Sequence, residues 1–227
     1  TILGEEHGKV FSCNETQISI IEYIRYICDN NFNKCKILLE YNEINNPYNI
    51  NSVNLNNIYN EFKENKDIKI TPVDIRTKYL GNEKQNLLYC NDIVNFDIEK
   101  IKKEYISPFL DNNYLDTESI INIEIVNLTY IHLYHMFSKL YDNCSNINKN
   151  KLVTQLKFIW SYVVDLNILI EVFKNDYNNL ICIIGKTHIH NLRKIFDSIE
   201  NFELITEKRK TKKFINIFET FFFKFFK

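Results

Sequence analysis

Glycine is scarce in this chain, with four among 227 residues. Its six cysteines, Cys13, Cys28, Cys35, Cys90, Cys144 and Cys182, include no CxxC pair. That absence argues against a zinc ribbon and against a thioredoxin-like redox motif. Cys28 and Cys182 lie inside apolar periodic stretches. The cysteines therefore read as reduced core residues of an intracellular, cytoplasmic protein rather than a disulfide framework. Charge of one sign is not in excess, since 28 basic residues face 29 acidic ones. No nucleic-acid partner is expected from such a balance. No apolar run reaches the roughly 20 residues that cross a bilayer, and no signal peptide is visible. No internal repeat is apparent. Thr1 opens directly into an apolar run, as in a trimmed fragment. The many Asn, Ile, Lys and Tyr residues suggest an AT-rich coding genome, so the Asn-rich stretches read as mutational bias, not prion-like segments.

Hydrophobic residues make up 45% of the chain, enough for a sizeable core. Short apolar runs alternate with helical periodicity. Residues 1–4, Lys36–Glu40 (KILLE), 67–74 (DIKITPVD) and Leu180–Ile184 (LICII) read as four strands, and 202–206 as a further one. Pro72 suits an edge or a bulge in the third. Helical spacing runs through 14–30, 53–65, 117–141, 151–175 and about 189–199. Asn14 with Gln17 has capping-box spacing, and Asp116 or Thr117 suits a later N-cap. Residues 81–115 show no clean period and read as an insert or long loop. Strands alternating with helices predict an α/β fold: a doubly wound, mostly parallel sheet flanked by helices. The expected organisation is one domain over 1–206, with a helical insert at about 81–150 between the third and fourth strands, and a basic, Phe-rich tail over 207–227.

Three of the four glycines sit in two short segments, GEEHG (4–8) and GKTH (185–188), each directly after an apolar strand. Glycine suits a sharp strand-to-helix turn because it tolerates positive φ and lets other groups come close. His7, His188 and His190 lie in or beside these segments. The second strand ends in Glu40, and the third ends in Asp74 with Arg76 two residues on. Four strands thus deliver ionisable groups to the edge where open α/β sheets bind ligands. One such residue alone is usually a helix cap or a hydrogen-bonded loop residue. Four together favour chemistry. Imidazoles with carboxylates suit a general base oriented by Glu. They equally suit a divalent metal (Mn, Co, Fe or Zn) held by His7, Glu40 and His188. Glu5, His7, Glu40 and His188 are the candidate catalytic residues. Asp74, Arg76, Asp165 and His190 are candidates to bind substrate or support them, with Arg76 facing an oxyanion.

GEEH after a strand, a strand ending ILLE and IIGKTH after a late strand resemble the superfamily of erythromycin esterase, ChaN, TraB and Tiki proteins. The matching segments are Gly4-Glu5-Glu6-His7, Glu40 and Gly185-Lys186-Thr187-His188. Asp165 within VVDLNILIEVF and Asp74-Ile75-Arg76 are similar to a pattern in uncharacterised members from large DNA viruses and protists. The resemblance runs from residue 1 to about 206. It implies a hydrolase-like fold without fixing one activity: esterases that use His and Glu, metal-dependent peptidases, or haem-iron binding. His190-Asn191 departs from the small or Pro-Gly step that many members have there. The expectation is hydrolysis of an ester, lactone or amide in a small molecule or peptide. The alternative is a binding module for metal, haem or a host protein.

Two further features have bland readings. His132 and His135 form an HxxH that lacks the Glu of HExxH, and read as core or interface histidines. Lys208–Lys213 (KRKTKK) precedes FINIFETFFFKFFK. Membrane contact through this tail is weighed against a helix packing on the sheet or on another subunit. Packing is preferred.

Overall fold

The computed structural model describes residues 2–5, 20–29, 35–41, 53–111, 123–174, 177, 179–197, 202–205 and 220–225. The fold is mixed α/β, mostly helical, with a mixed sheet whose parallel part is flanked by helices. Two compact units are present: residues 1–73 with 175–227, and residues 74–174.

The first unit holds the sheet. Its strands are β1 (Ile2–Glu5), β2 (Cys35–Leu39), β3 (Ile68–Pro72), β4 (Asn179–Gly185), β5 (Phe202–Ile205) and β6 (Thr220–Phe225). Their order is β3-β2-β4-β1-β6-β5. β2 runs parallel to β3 and β4, and β4 parallel to β1. β6 is antiparallel to β1 and to β5. Pro72 lies in β3 at the sheet's edge, where a missing N–H costs no ladder bond.

All five residues of β2 are buried, as expected of a strand covered on both faces. Side chains alternate along it, so Cys35, Ile37 and Leu39 share one face. That face joins Ile68, Ile181 and Ile183 under Ile24 of α1 (Ile20–Asp29) and Leu55, Ile58 and Phe62 of α2 (Val53–Phe62). Each such fully buried side chain contributes about 1.5–3 kcal/mol. Beyond β4, α8 (Lys186–Asp197) buries Ile189, Leu192 and Phe196.

The second unit is helical: α3 (Arg76–Tyr89), a 3-10 turn at Asp92–Asn95, α4 (Ile98–Ile101), a π turn at Lys102–Ile106, α5 (Ser107–Leu110), α6 (Glu124–Asn143) and α7 (Lys149–Phe173). An aromatic cluster fills it. Phe109 stacks on Phe137 at 4.4 Å between ring centroids, and Trp160 meets Phe137 edge-on at 5.2 Å. The Trp160 indole N–H donates to the Tyr105 carbonyl at 3.0 Å, so the buried ring keeps its one donor satisfied.

Three expectations are corrected. Within 81–115 the described residues are mostly helical rather than a long loop. Gly81 (φ 73°) breaks α3 internally, Asn91 (φ 67°) turns left-handed, and a π turn follows. These interruptions scramble any single period. His132 and His135 are exposed; Val126, Leu133, Phe137 and Leu140 carry the buried face of α6. Part of the Phe-rich tail is strand β6, not helix, in line with the strand preference of Thr and Phe. The proposed caps Asn14, Asp116 and Thr117, and the basic run 208–213, lie outside the described residues.

Candidate functional site

β2 and β4 are parallel neighbours, so their C-terminal ends meet at one edge. Glu40 directly follows β2, and its backbone N–H donates to the Ile183 carbonyl at 3.1 Å. That bond extends the ladder by one step and holds Glu40 beside the end of β4. There its carboxylate meets two donors. The Gly185 N–H donates to Oε2 at 2.5 Å. His188 Nε2 lies 3.2 Å from Oε1, with the two side chains 5% and 8% exposed.

Gly185 is needed for room. A Cβ there would stand 3.0 Å from Glu40 Oε2 and 3.8 Å from His188 Cδ2. The expected reason for glycine is thus half met: close approach is present, and Gly185 is not among the positive-φ residues. α8 begins at Lys186, earlier than the expected 189, so His188 sits in its first turn.

The other candidates divide. Glu5 ends β1 in register with Gly185, at the same edge as Glu40 and His188. Its side chain and all of His7 lie outside the described residues. His190 is exposed whereas His188 is buried, and residues two apart on a helix do not share a face. His190 therefore does not join the pair.

Asp74, Arg76 and Asp165 belong to the helical unit. Asp74 Oδ1 accepts from Arg76 Nε at 2.7 Å and from its backbone N at 3.2 Å, while Oδ2 accepts from Nη2 at 2.6 Å and from Gln85 Nε2 at 3.3 Å. Arg76 Nη1 donates to the Tyr89 hydroxyl, and the guanidinium stacks 5.0 Å from that ring. The pair is a local knot at the start of α3. Asp165 is fully buried in α7. Burial first, and then the Asp165 carboxylate, pushes the Tyr162 phenol up.

Sequence reasoning missed the Gly185 N–H as a partner of Glu40; the glycine itself was its only visible sign. It also missed Lys36, which is 1% exposed in β2 with its Nζ 5.3 Å from the Tyr177 ring centroid.

A carboxylate that accepts a backbone N–H with one oxygen and faces an imidazole with the other is held in one orientation. It favours the tautomer with Nε2 protonated and stabilises the imidazolium that forms when Nδ1 takes a proton. Both Glu40 oxygens are thereby engaged by protein donors. Among the described residues no three His, Cys, Asp or Glu side chains gather as a metal ion would require. Among them, too, no helix is long and apolar enough to cross a membrane. No protein-family model, curated protein or solved structure matches the chain.

Proposed function

We propose that this chain is a hydrolase of an ester, lactone or amide bond, on a doubly wound α/β fold akin to the erythromycin esterase, ChaN, TraB and Tiki superfamily. The observation that carries the reading is the buried Glu40–His188 pair, pinned by the Gly185 N–H at the C-terminal edge of parallel strands. This edge is where open α/β sheets bind ligands.

His188 acts as the general base. Glu40 accepts the Nε2 proton and fixes the tautomer, and Nδ1 takes a proton from the attacking water. The hydroxide equivalent adds to the substrate carbonyl. The imidazolium, stabilised by Glu40, then gives its proton to the departing alkoxide or amine. Glu5, whose backbone ends β1 in register with Gly185, and His7 remain candidate catalytic groups. A metal-dependent version draws on His7, Glu40 and His188. A divalent ion there would polarise the carbonyl and activate the water. The five described cysteines are free thiols, which supports an intracellular setting.

The test is a panel of p-nitrophenyl esters, lactones and dipeptide anilides, with and without added Mn, Co, Fe or Zn. Turnover by the wild type should fall about 100- to 10,000-fold in His188→Ala. Glu40→Gln should lower kcat more than it raises KM, because it disturbs orientation and charge rather than binding. Elemental analysis of protein purified without chelator separates the metal-free and metal-dependent versions. Unchanged turnover in His188→Ala, or none by the wild type under any condition, would overturn hydrolysis in favour of a binding module.

A further inference from the structure

At the other end of β2, away from Glu40, two thiols meet. Cys28 stands in the last turn of α1, and Cys35 is the first residue of β2. Cys28 packs against the core cluster that contains Cys35, itself 2% exposed. Their side chains are hydrogen-bonded to each other, and both are free thiols. Hydrogen bonding to Cys28, and then burial, hold the Cys35 thiol far above the usual thiol range. Cys28 is half-buried and Cys35 buried, so Cys28 is the thiol an external reagent reaches.

We propose that Cys28 and Cys35 are a dithiol that closes reversibly to a disulfide, with a small disulfide such as oxidised glutathione as oxidant. The Cys28 thiolate attacks one sulfur of the oxidant, forming a mixed disulfide and releasing one glutathione thiolate. The Cys35 sulfur, giving up its proton, then attacks the Cys28 sulfur and releases the second. The protein loses two electrons and two protons; the oxidant gains them as two thiols. The product staples the end of α1 to the start of β2, where the two already pack together. Disulfides of this kind inside cells are transient redox devices rather than permanent staples.

Full-length native protein is equilibrated in a series of reduced and oxidised glutathione mixtures, quenched in acid, alkylated and digested with trypsin. Lys34 lies between the two cysteines, with Arg25 and Lys36 outside them. The tryptic peptides 26–34 and 35–36 thus stay joined only if the disulfide has formed. Exposed Cys90 reports simple glutathione capping in the same digest. The joined peptide should appear in the native chain at roughly tenfold lower oxidant than in the urea-unfolded chain, because folding raises the effective concentration of one thiol at the other. A native chain that needs as much oxidant as the unfolded one, or that keeps glutathione on Cys28 while Cys35 is alkylated, overturns the proposal. In Cys35→Ser the Cys28–glutathione adduct should accumulate; its absence would refute Cys28 as the attacking thiol. The wild-type comparison needs no variant.

Discussion

In the sheet unit a buried glutamate faces a histidine; in the helical unit a buried aspartate faces an arginine. Asp74 and Arg76 are joined by two close parallel bonds, at 2.7 and 2.6 Å, with Gln85 and Tyr89 adding further hydrogen bonds. An arginine never gives up its proton in a protein, so this pair is static. Glu40 and His188 share one longer contact of 3.2 Å, and an imidazole, unlike a guanidinium, can take up and release a proton. Burial of an acid beside a base therefore does not mark chemistry. What separates the two pairs is whether one partner can change protonation without breaking the knot.

The comparison is broken most directly by removing an acid from each side. Asp74→Ala removes both close carboxylate bonds from a buried guanidinium and should cost about 3–5 kcal/mol in urea unfolding. Glu40→Gln keeps an oxygen for the Gly185 N–H and a polar partner for His188, so it should cost only about 1–2 kcal/mol while the proposed hydrolysis collapses. If Glu40→Gln proves the more destabilising of the two, the strand-end pair is a structural brace and its catalytic reading is lost.

The glycines sharpen the same contrast at a smaller scale. Gly185→Ala puts a methyl group 3.0 Å from Glu40 Oε2. It should cost about 1–3 kcal/mol by crowding and should reduce turnover as the carboxylate shifts off His188. At Gly81 nothing lies within 4 Å of a would-be Cβ, yet the backbone sits at φ 73° and ψ 160°. Gly81→Ala should also cost about 1–3 kcal/mol, here by backbone strain, with kcat unmoved. Thermal melts and turnover measured on both variants would expose a failure of this split: equal loss of kcat in the two removes it.

These contrasts also show what the sequence can and cannot carry. KILLE and LICIIG are apolar runs closed by polar or glycine punctuation, so β2, β4 and the edge holding Glu40 and His188 were legible from local pattern. The bond from the Gly185 N–H to Glu40 spans 145 residues and depends on strand register, which no local pattern encodes. Asp74 and Arg76 looked like two more strand-end groups because a two-residue spacing does not reveal that the side chains close on each other. Residues 81–115 hid their helices behind Gly81 and Asn91. Asp165, read as a candidate to bind substrate or support the site, is fully buried; a carboxylate at that depth depends on tertiary surroundings, not on the flanking valines.

The smallest expected effect lies wholly in the helical unit and has a sign that can be worked out. Tyr105 is fully buried, and its hydroxyl finds no hydrogen-bond partner among the described residues. Burial, followed by the Glu104 and Glu83 charges, pushes its phenol up to about 12. A tyrosine in the unfolded chain titrates near 10. Below about pH 10 both states keep the proton, and Tyr105 adds no pH dependence. Between the two values the unfolded chain has released a proton that the folded chain retains. The unfolded state then binds fewer protons, so stability falls as pH rises through that window. Phenylalanine cannot titrate and has no hydroxyl to desolvate. Tyr105→Phe should therefore match the wild type or exceed it by up to about 1 kcal/mol at pH 7, and its advantage should widen from about pH 10 to 12. The Trp160 bond to the residue 105 carbonyl is a backbone contact and is kept. Urea midpoints for both proteins at pH 7, 9 and 11 decide the point. Parallel curves across that range would mean that the phenol is solvated, and that the helical unit tolerates buried polar groups less strictly than its packing implies.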